Sequence, residues 1–406
     1  MQKILWFNLL LVLVLGFNAA SGHKSYEHYN NPAGEEVPIM AWCTFNKDTN
    51  ITYDNFKNLH DGGFNISLSL VPDVALTEKT LAVAEEAGIK VMVNCPQIRS
   101  LSSIPEAVNK IKDLPAVAGY YLGDEPNASE FQKFKKLADT IYKYDKKHFS
   151  FINLLPMVAP ERLHAKNYKT YLQEFINTVK LPLFSYDSYP VIRINGEITV
   201  KESYYDNLEI VSEVSKETGV PFWAFCLSAS HFDYPTPTSG SLLFEAFSAL
   251  AYGAQGISYY TYMLLTEQTI KYYDAPVNPD GSLSEIWYLC RDVNRQIQSF
   301  SKIFLGSEVV DIWHIGKKLP KGTKRFEPHN TPFSEINSQD AGVLVSHLKN
   351  DGKDYYVIVS HDPVNSQELV IKTRQDIKRV ISNDNLSPMN STDFLLPPGG
   401  YLIFTS

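Results

Sequence analysis

Short, unbroken apolar runs recur over the first three quarters of the chain, each followed by a stretch of helical periodicity. The runs are Val37–Phe45, Phe64–Val71, Ile89–Asn94, Val117–Gly123, His148–Leu155, Leu181–Asp187, Val220–Leu227 and Gln255–Tyr262. Such runs are what strands covered on both faces require. Ser129-Glu-Phe-Gln132 and Ser282-Leu-Ser-Glu285 read as capping boxes that open the fourth and eighth helices. Gly62-Gly63, Gly88, Gly219 and Gly253 fall between a helix and the next strand, where a left-handed C-cap belongs. Eight strand–helix units across residues 37–305 predict an α/β fold, a (β/α)8 TIM barrel. The competitor is a doubly wound open sheet. No Gly-x-Gly-x-x-Gly follows the first strand, however, and no Gly-x-x-x-x-Gly-Lys occurs.

The pattern changes after residue 306. Residues 316–335 are polar and read as a long loop. Alternating runs follow at Gly342–Leu348, Tyr355–Ser360, Glu368–Lys372, Ile377–Ser382 and Tyr401–Thr405, with Asn350-Asp-Gly352 as a hairpin turn between the first two. Residues 306–406 are therefore expected to form a small C-terminal antiparallel β-sandwich. At the other end, Met1–Lys3 is basic, Ile4–Phe17 mostly apolar, and Ala20-Ser-Gly22 small. That order predicts a cleaved signal peptide over residues 1–22 and a secreted or periplasmic protein, with a retained anchor as the alternative. No later run looks transmembrane, so no membrane span is expected after cleavage.

Composition narrows the function. Of 406 residues, 44% are hydrophobic and 20% charged, which excludes wholesale disorder. A net charge of −8 argues against a nucleic-acid partner, which would call for a basic stripe. Four cysteines are too few to staple so long a chain and read as buried free thiols. Neither a Cys-x-x-Cys pair nor a zinc-type His/Cys spacing occurs, and the reading includes no metal and no cofactor.

A barrel carries its chemistry at the C-terminal strand ends. The expected ends present Trp42, Asp73, Asn94, the adjacent carboxylates Asp124 and Glu125 closed by Pro126, and Asn153. After these come Tyr186-Asp187-Ser-Tyr189, His231, and Tyr260 and Tyr262. The strand-end runs themselves hold no Lys or Arg, so this aromatic, amide and carboxylate rim suits a neutral, hydroxyl-rich carbohydrate better than a phosphate. Plainer readings stand beside these. Asp-Glu-Pro also suits a helix N-terminus, Asp187 a structural acceptor, Asp73 a cap, His231 a rim residue and Trp42 barrel packing. Two adjacent strand residues point to opposite faces, so Asp124 and Glu125 can share one site only if the strand end bends.

Gly119-Tyr-Tyr-Leu-Gly-Asp-Glu-Pro126 resembles barrel glycoside hydrolases related to the family 42 β-galactosidases and the wider clan A. Further likeness lies in Glu245–Tyr262, in Asn278–Glu285 leading to Val293-Asn294, and in Leu396-Pro-Pro-Gly-Gly-Tyr-Leu-Ile-Phe404. The resemblance implies a glycoside hydrolase with Glu125 as general acid/base. It departs from that clan at strand seven, where Pro221–Ser230 holds no carboxylate for a nucleophile, and at Asp124, where the clan usually has Asn. The Asp-Glu pair with Tyr186-Asp-Ser-Tyr189 also resembles substrate-assisted N-acetylhexosaminidases, including family 123. That resemblance implies that Asp124 orients a 2-acetamido nucleophile while Glu125 protonates the leaving oxygen. Asp187, as nucleophile or water-activating base, is the other candidate second carboxylate. A carbohydrate-binding barrel that has lost its nucleophile is the non-catalytic alternative.

Overall fold

The computed structural model describes residues 29–266, 269–338 and 341–406. The expected signal segment, residues 1–22, lies outside them. Eight parallel strands close into a barrel: β1 (Ile39–Trp42), β2 (Ile66–Leu68), β3 (Lys90–Val93), β4 (Val117–Asp124), β5 (Phe149–Leu154), β6 (Phe184–Tyr186), β7 (Phe222–Leu227) and β8 (Ile257–Tyr260). β8 pairs back onto β1, Ile39 opposite Ile257. One helix packs outside each strand: α1 (Tyr53–Asp61), α2 (Val74–Glu86), α3 (Ile104–Ile111), α4 (Phe131–Tyr144), α5 (Tyr168–Val179), α6 (Ser203–Thr218), α7 (Ser239–Ala251) and α8 (Glu285–Gln298).

The two faces of the strands explain the unbroken runs. Met40, Trp42, Ile66, Leu68, Met92, Tyr121, Phe151, Trp223 and Phe225 fill the barrel interior. Their neighbours Ile39, Ala41, Tyr120, Ile152, Phe184 and Cys226 belong to the layer under the helices. Tyr29 packs its ring 6.0 Å from Phe149 and 6.5 Å from Trp223, against the N-terminal ends of β5 and β7. Gly63, Gly88, Gly219 and Gly253 take φ of +76°, +75°, +69° and +98°. Both expected capping boxes are shifted. Asn127, not Ser129, accepts from Ser129 N at 3.0 Å and closes its box with Glu130, one 3-10 turn ahead of α4. Ser284, not Ser282, caps α8. Cys95, Cys226 and Cys290 are buried thiols and Cys43 is half-buried.

Past the barrel, nine strands among the described residues form two antiparallel sheets: β9 (Glu308–Ile315), β10 (Phe333–Ser338), β11 (Val343–Asn350), β12 (Lys353–Ser360), β13 (Gln367–Thr373), β14 (Lys378–Ser382), β15 (Asn385–Pro388), β16 (Asp393–Leu396) and β17 (Tyr401–Thr405). Their orders are β9-β11-β12-β17-β14-β15 and β10-β13-β16. Asp351 and Gly352, at φ +48° and +72°, make the two-residue turn between Asn350 and Lys353. Alternate residues of the larger sheet serve two cores. Val343, Val345, Tyr356 and Ile358 meet the smaller sheet, while Leu344, Leu348, Val357 and Ile403 join the barrel's core. Tyr401 stacks on Phe247 of α7 at 3.6 Å, and Ser346 Oγ donates to Ala251 O at 2.6 Å. The polar stretch expected as one loop over 316–335 ends in β10, and β9 precedes it; neither strand stands out in the apolar pattern. Among the described residues no helix is long and apolar enough to cross a membrane.

Candidate active site

The site begins with an irregularity in β4. Its register against β5 slips between Tyr121 and Gly123, so an extra residue enters the strand just before its end. Gly123 then turns toward α4, where an added Cβ would lie 2.5 Å from Phe134 Cε1; no larger residue fits. Glu125 adopts φ +45°, a left-handed conformation uncommon for a non-glycine residue. Its N–H donates to Asn153 O at 2.8 Å, and Tyr171 Oη donates to Pro126 O at 2.6 Å, which pins the turn from both sides. The bend answers the geometric problem posed by two adjacent acids: both Asp124 and Glu125 line the same cavity.

That cavity, about 580 Å³, opens at the C-terminal end of the barrel. Asp187, just past β6, joins the two acids there. Asn153 at the end of β5 ties them together: its Nδ2 donates to Asp124 Oδ1 at 3.1 Å and to Asp187 Oδ1 at 2.8 Å. Ser185 Oγ donates to Asn153 Oδ1 at 3.2 Å and so fixes which end of the amide faces the acids. The Glu125 and Asp187 carboxyls lie close enough that each shifts the other, so the pair titrates as a unit. Burial raises both above the ordinary carboxylate range. Repulsion adds to this, from Asp124 on Glu125 and from Glu125 on Asp187. Burial also raises Asp124, against the pull of Asn153 and Arg99.

Around the acids stands an aromatic wall. Trp42 forms part of the cavity lining while meeting Tyr121 and Phe225 edge-on, with ring centroids at 5.0 and 5.1 Å. Tyr189 stacks on Tyr260 at 6.0 Å, and the Tyr260 and Tyr272 hydroxyls are 2.6 Å apart. His231 lines the cavity with its ring against Tyr234 and Tyr272; burial and the nearby Lys201 charge lower its pKa.

Four residues expected at the site are placed elsewhere. Asp73 caps α2, accepting from Leu76 N at 2.8 Å. Tyr186 and Tyr262 are buried in the layer under the helices, Tyr186 near Phe222 and Tyr262 against Phe45 and Phe64. Asn94 is buried behind the cavity and accepts from Arg99, whose charge in turn reaches Asp124. Strand ends alone did not reveal Arg162, Lys201, Phe232, Tyr234 and Tyr272, which line the cavity from long loops where no periodicity marks direction.

No protein-family model matches the sequence, and no curated protein does. Solved structures do match. A β-galactosidase from Bacillus circulans sp. alkalophilus superposes with a TM-score of 0.64 at 9% identity, over 91% of this chain and 99% of that one. A catalytic mutant of Gan42B, a GH42 β-galactosidase from G. stearothermophilus, gives 0.62 at 9% identity, over 94% and 100%. A family 39 glycoside hydrolase from the gut symbiont Bacteroides cellulosilyticus gives 0.52 at 10% identity, over 93% and 82%. What is shared is the fold.

Proposed function

We propose that the protein is an exported glycoside hydrolase with Glu125 as its general acid/base. The observation that carries the reading is the gathering of Asp124, Glu125 and Asp187 around Asn153, in an aromatic cavity of sugar size. Burial and the Asp124 charge raise the Glu125 carboxyl above the ordinary range, the direction that suits a group giving its proton to a leaving glycosidic oxygen. The structural neighbours, which include β-galactosidases and a family 39 glycoside hydrolase, support the same reaction class. Export rests on the expected signal segment.

One observation favours substrate assistance over a two-carboxylate mechanism. Glu125 and Asp187 are coupled to each other on the β4–β6 side of the mouth, and β7, where a cross-barrel nucleophile would stand, carries no carboxylate. A 2-acetamido oxygen attacking the anomeric carbon would need only Asp124 to orient it and Glu125 to protonate the departing oxygen; water would then open the cyclic intermediate. The test is a matched pair of aryl glycosides, N-acetylgalactosaminide against galactoside, assayed with wild type and Glu125→Gln. Cleavage confined to the acetamido sugar supports assistance. Equal cleavage of both returns the role to Asp187, turnover unaffected by Glu125→Gln overturns the acid/base assignment of Glu125, and no turnover of any glycoside overturns the hydrolase assignment.

A further inference from the structure

The cavity also holds positive charge that the proposed chemistry does not use. Arg162 follows β5 and Lys201 follows β6, and both line it. β5 and β6 are paired neighbours. Their loops are also tied together, because Met157 N donates to Asn207 Oδ1, on the second turn of α6, at 2.7 Å. Ser203, the first residue of α6, lines the same cavity, and no side chain caps that helix end. The flanking acid Glu202 is turned away to Lys318, at 3.3 Å.

Neither cation has a carboxylate partner within ion-pair distance among the described residues. Lys201 Nζ donates to the neutral Tyr234 hydroxyl at 2.7 Å and stands 4.6 Å from that ring's centroid. Arg162 feels Glu125 only through space. The chain carries 45 acidic residues against 37 basic ones, so unpaired cations are not forced by a shortage of acids. Two acids of the cavity, Asp124 and Asp187, are already held by Asn153. A guanidinium fork, an ammonium and an open helix N-terminus on adjoining loops are together a receptor for an oxyanion.

We propose that the sugar taken by this cavity is anionic, its carboxylate or sulfate ester seated against Arg162, Lys201 and the start of α6. The ligand class rests on the glycoside reading; the charge does not. The experiment is equilibrium binding, by calorimetry, to the full-length Glu125→Gln protein, which leaves any ligand intact. The probes all carry a 2-acetamido group: a neutral tri-N-acetylgalactosaminide, its 6-sulfated form and an unsulfated chondroitin trisaccharide, whose charge is a carboxylate. One anionic probe should bind about 10- to 100-fold more tightly than the neutral one, with a preference that weakens as salt is added. Which probe it is separates carboxylate from sulfate. Adding Arg162→Gln or Lys201→Gln should remove most of the preference, and Arg162→Lys should keep part of it while thermal unfolding stays in place. Neutral binding as tight as both anionic probes, a preference that survives the double Gln variant, or no binding of any probe overturns the proposal. None of these outcomes touches the hydrolase assignment, which is decided by turnover.

Discussion

β4 and β7 end at the same barrel mouth and are made differently. The end of β4 slips register, bends at Glu125 and turns two carboxylates inward. That of β7 continues into Ser228, which donates to Thr261 O at 2.9 Å, and Ser230, which donates to Asp274 Oδ2 at 3.1 Å. A carboxylate does approach β7, but from outside: Glu245 on α7 is buried and accepts from Leu227 N at 2.8 Å. The carboxylates that line the cavity are thus crowded onto the β4–β6 side of the mouth, and the segment after β7 contributes His231 instead. On the proposed reading, an acid/base at Glu125 with no carboxylate opposite it on β7 needs another nucleophile, and the substrate can bring one.

Substitutions can break this contrast. Glu125→Gln should reduce turnover of any accepted glycoside by roughly 10²–10⁴-fold, the usual contribution of a positioned general acid; steady-state rates check it. Asp187→Asn should cost less, on the order of 10²-fold, since it removes a group coupled to the donor and leaves the donor itself. Asp124→Asn should slow turnover of an acetamido substrate, whose nucleophile it is proposed to orient, and should also change the pH dependence. Its charge helps raise Glu125 and Asp187, so its removal should move the alkaline limb of the rate profile toward lower pH. An unmoved limb would detach Asp124 from the coupled pair.

Glu245→Gln is the control on the β7 side, with activity expected within about twofold of wild type. Burial pushes the Glu245 carboxyl up to about 8, from an ordinary 4.5. Between those values the folded chain retains a proton that the unfolded chain has released, so folding stability falls as pH rises through that window. The variant, neutral throughout, should lose that part of the slope. Melting temperatures at about pH 5 and pH 8 would show it.

The barrel was legible in sequence because its strands are covered twice. A run such as Phe222–Leu227 has no polar face to interrupt it; seven of the eight predicted runs contain their barrel strand, and the fourth stops one residue short of it, at Gly123. β9 was not legible: Glu308-Val-Val-Asp alternates exposed and half-buried positions before Ile312, and the run blends into the polar stretch that follows. At the site, residue type was readable and direction was not. Tyr186 and Asp187 are adjacent and both plausible, yet strand parity sends the tyrosine to the helices and the acid to the mouth. Tyr260 and Tyr262, two apart, would share a face in a regular strand, but β8 ends between them and Tyr262 turns outward. The inward turn of Glu125 depends on one left-handed residue, for which Gly123 and Pro126 are only indirect signs. Arg162 and Lys201 sit on loops whose course follows from tertiary ties such as Met157 to Asn207.

The double coverage of the larger C-terminal sheet reaches beyond its own stability. Every residue of α7 from Gly240 to Ala251 is buried, with Tyr401 and Ser346 of that sheet laid against it. A protein ended near residue 305 would bare a nearly continuous oily helix to water and should be recovered as aggregate rather than as a working barrel. The two halves are thus expected to fold and be produced only as a single unit.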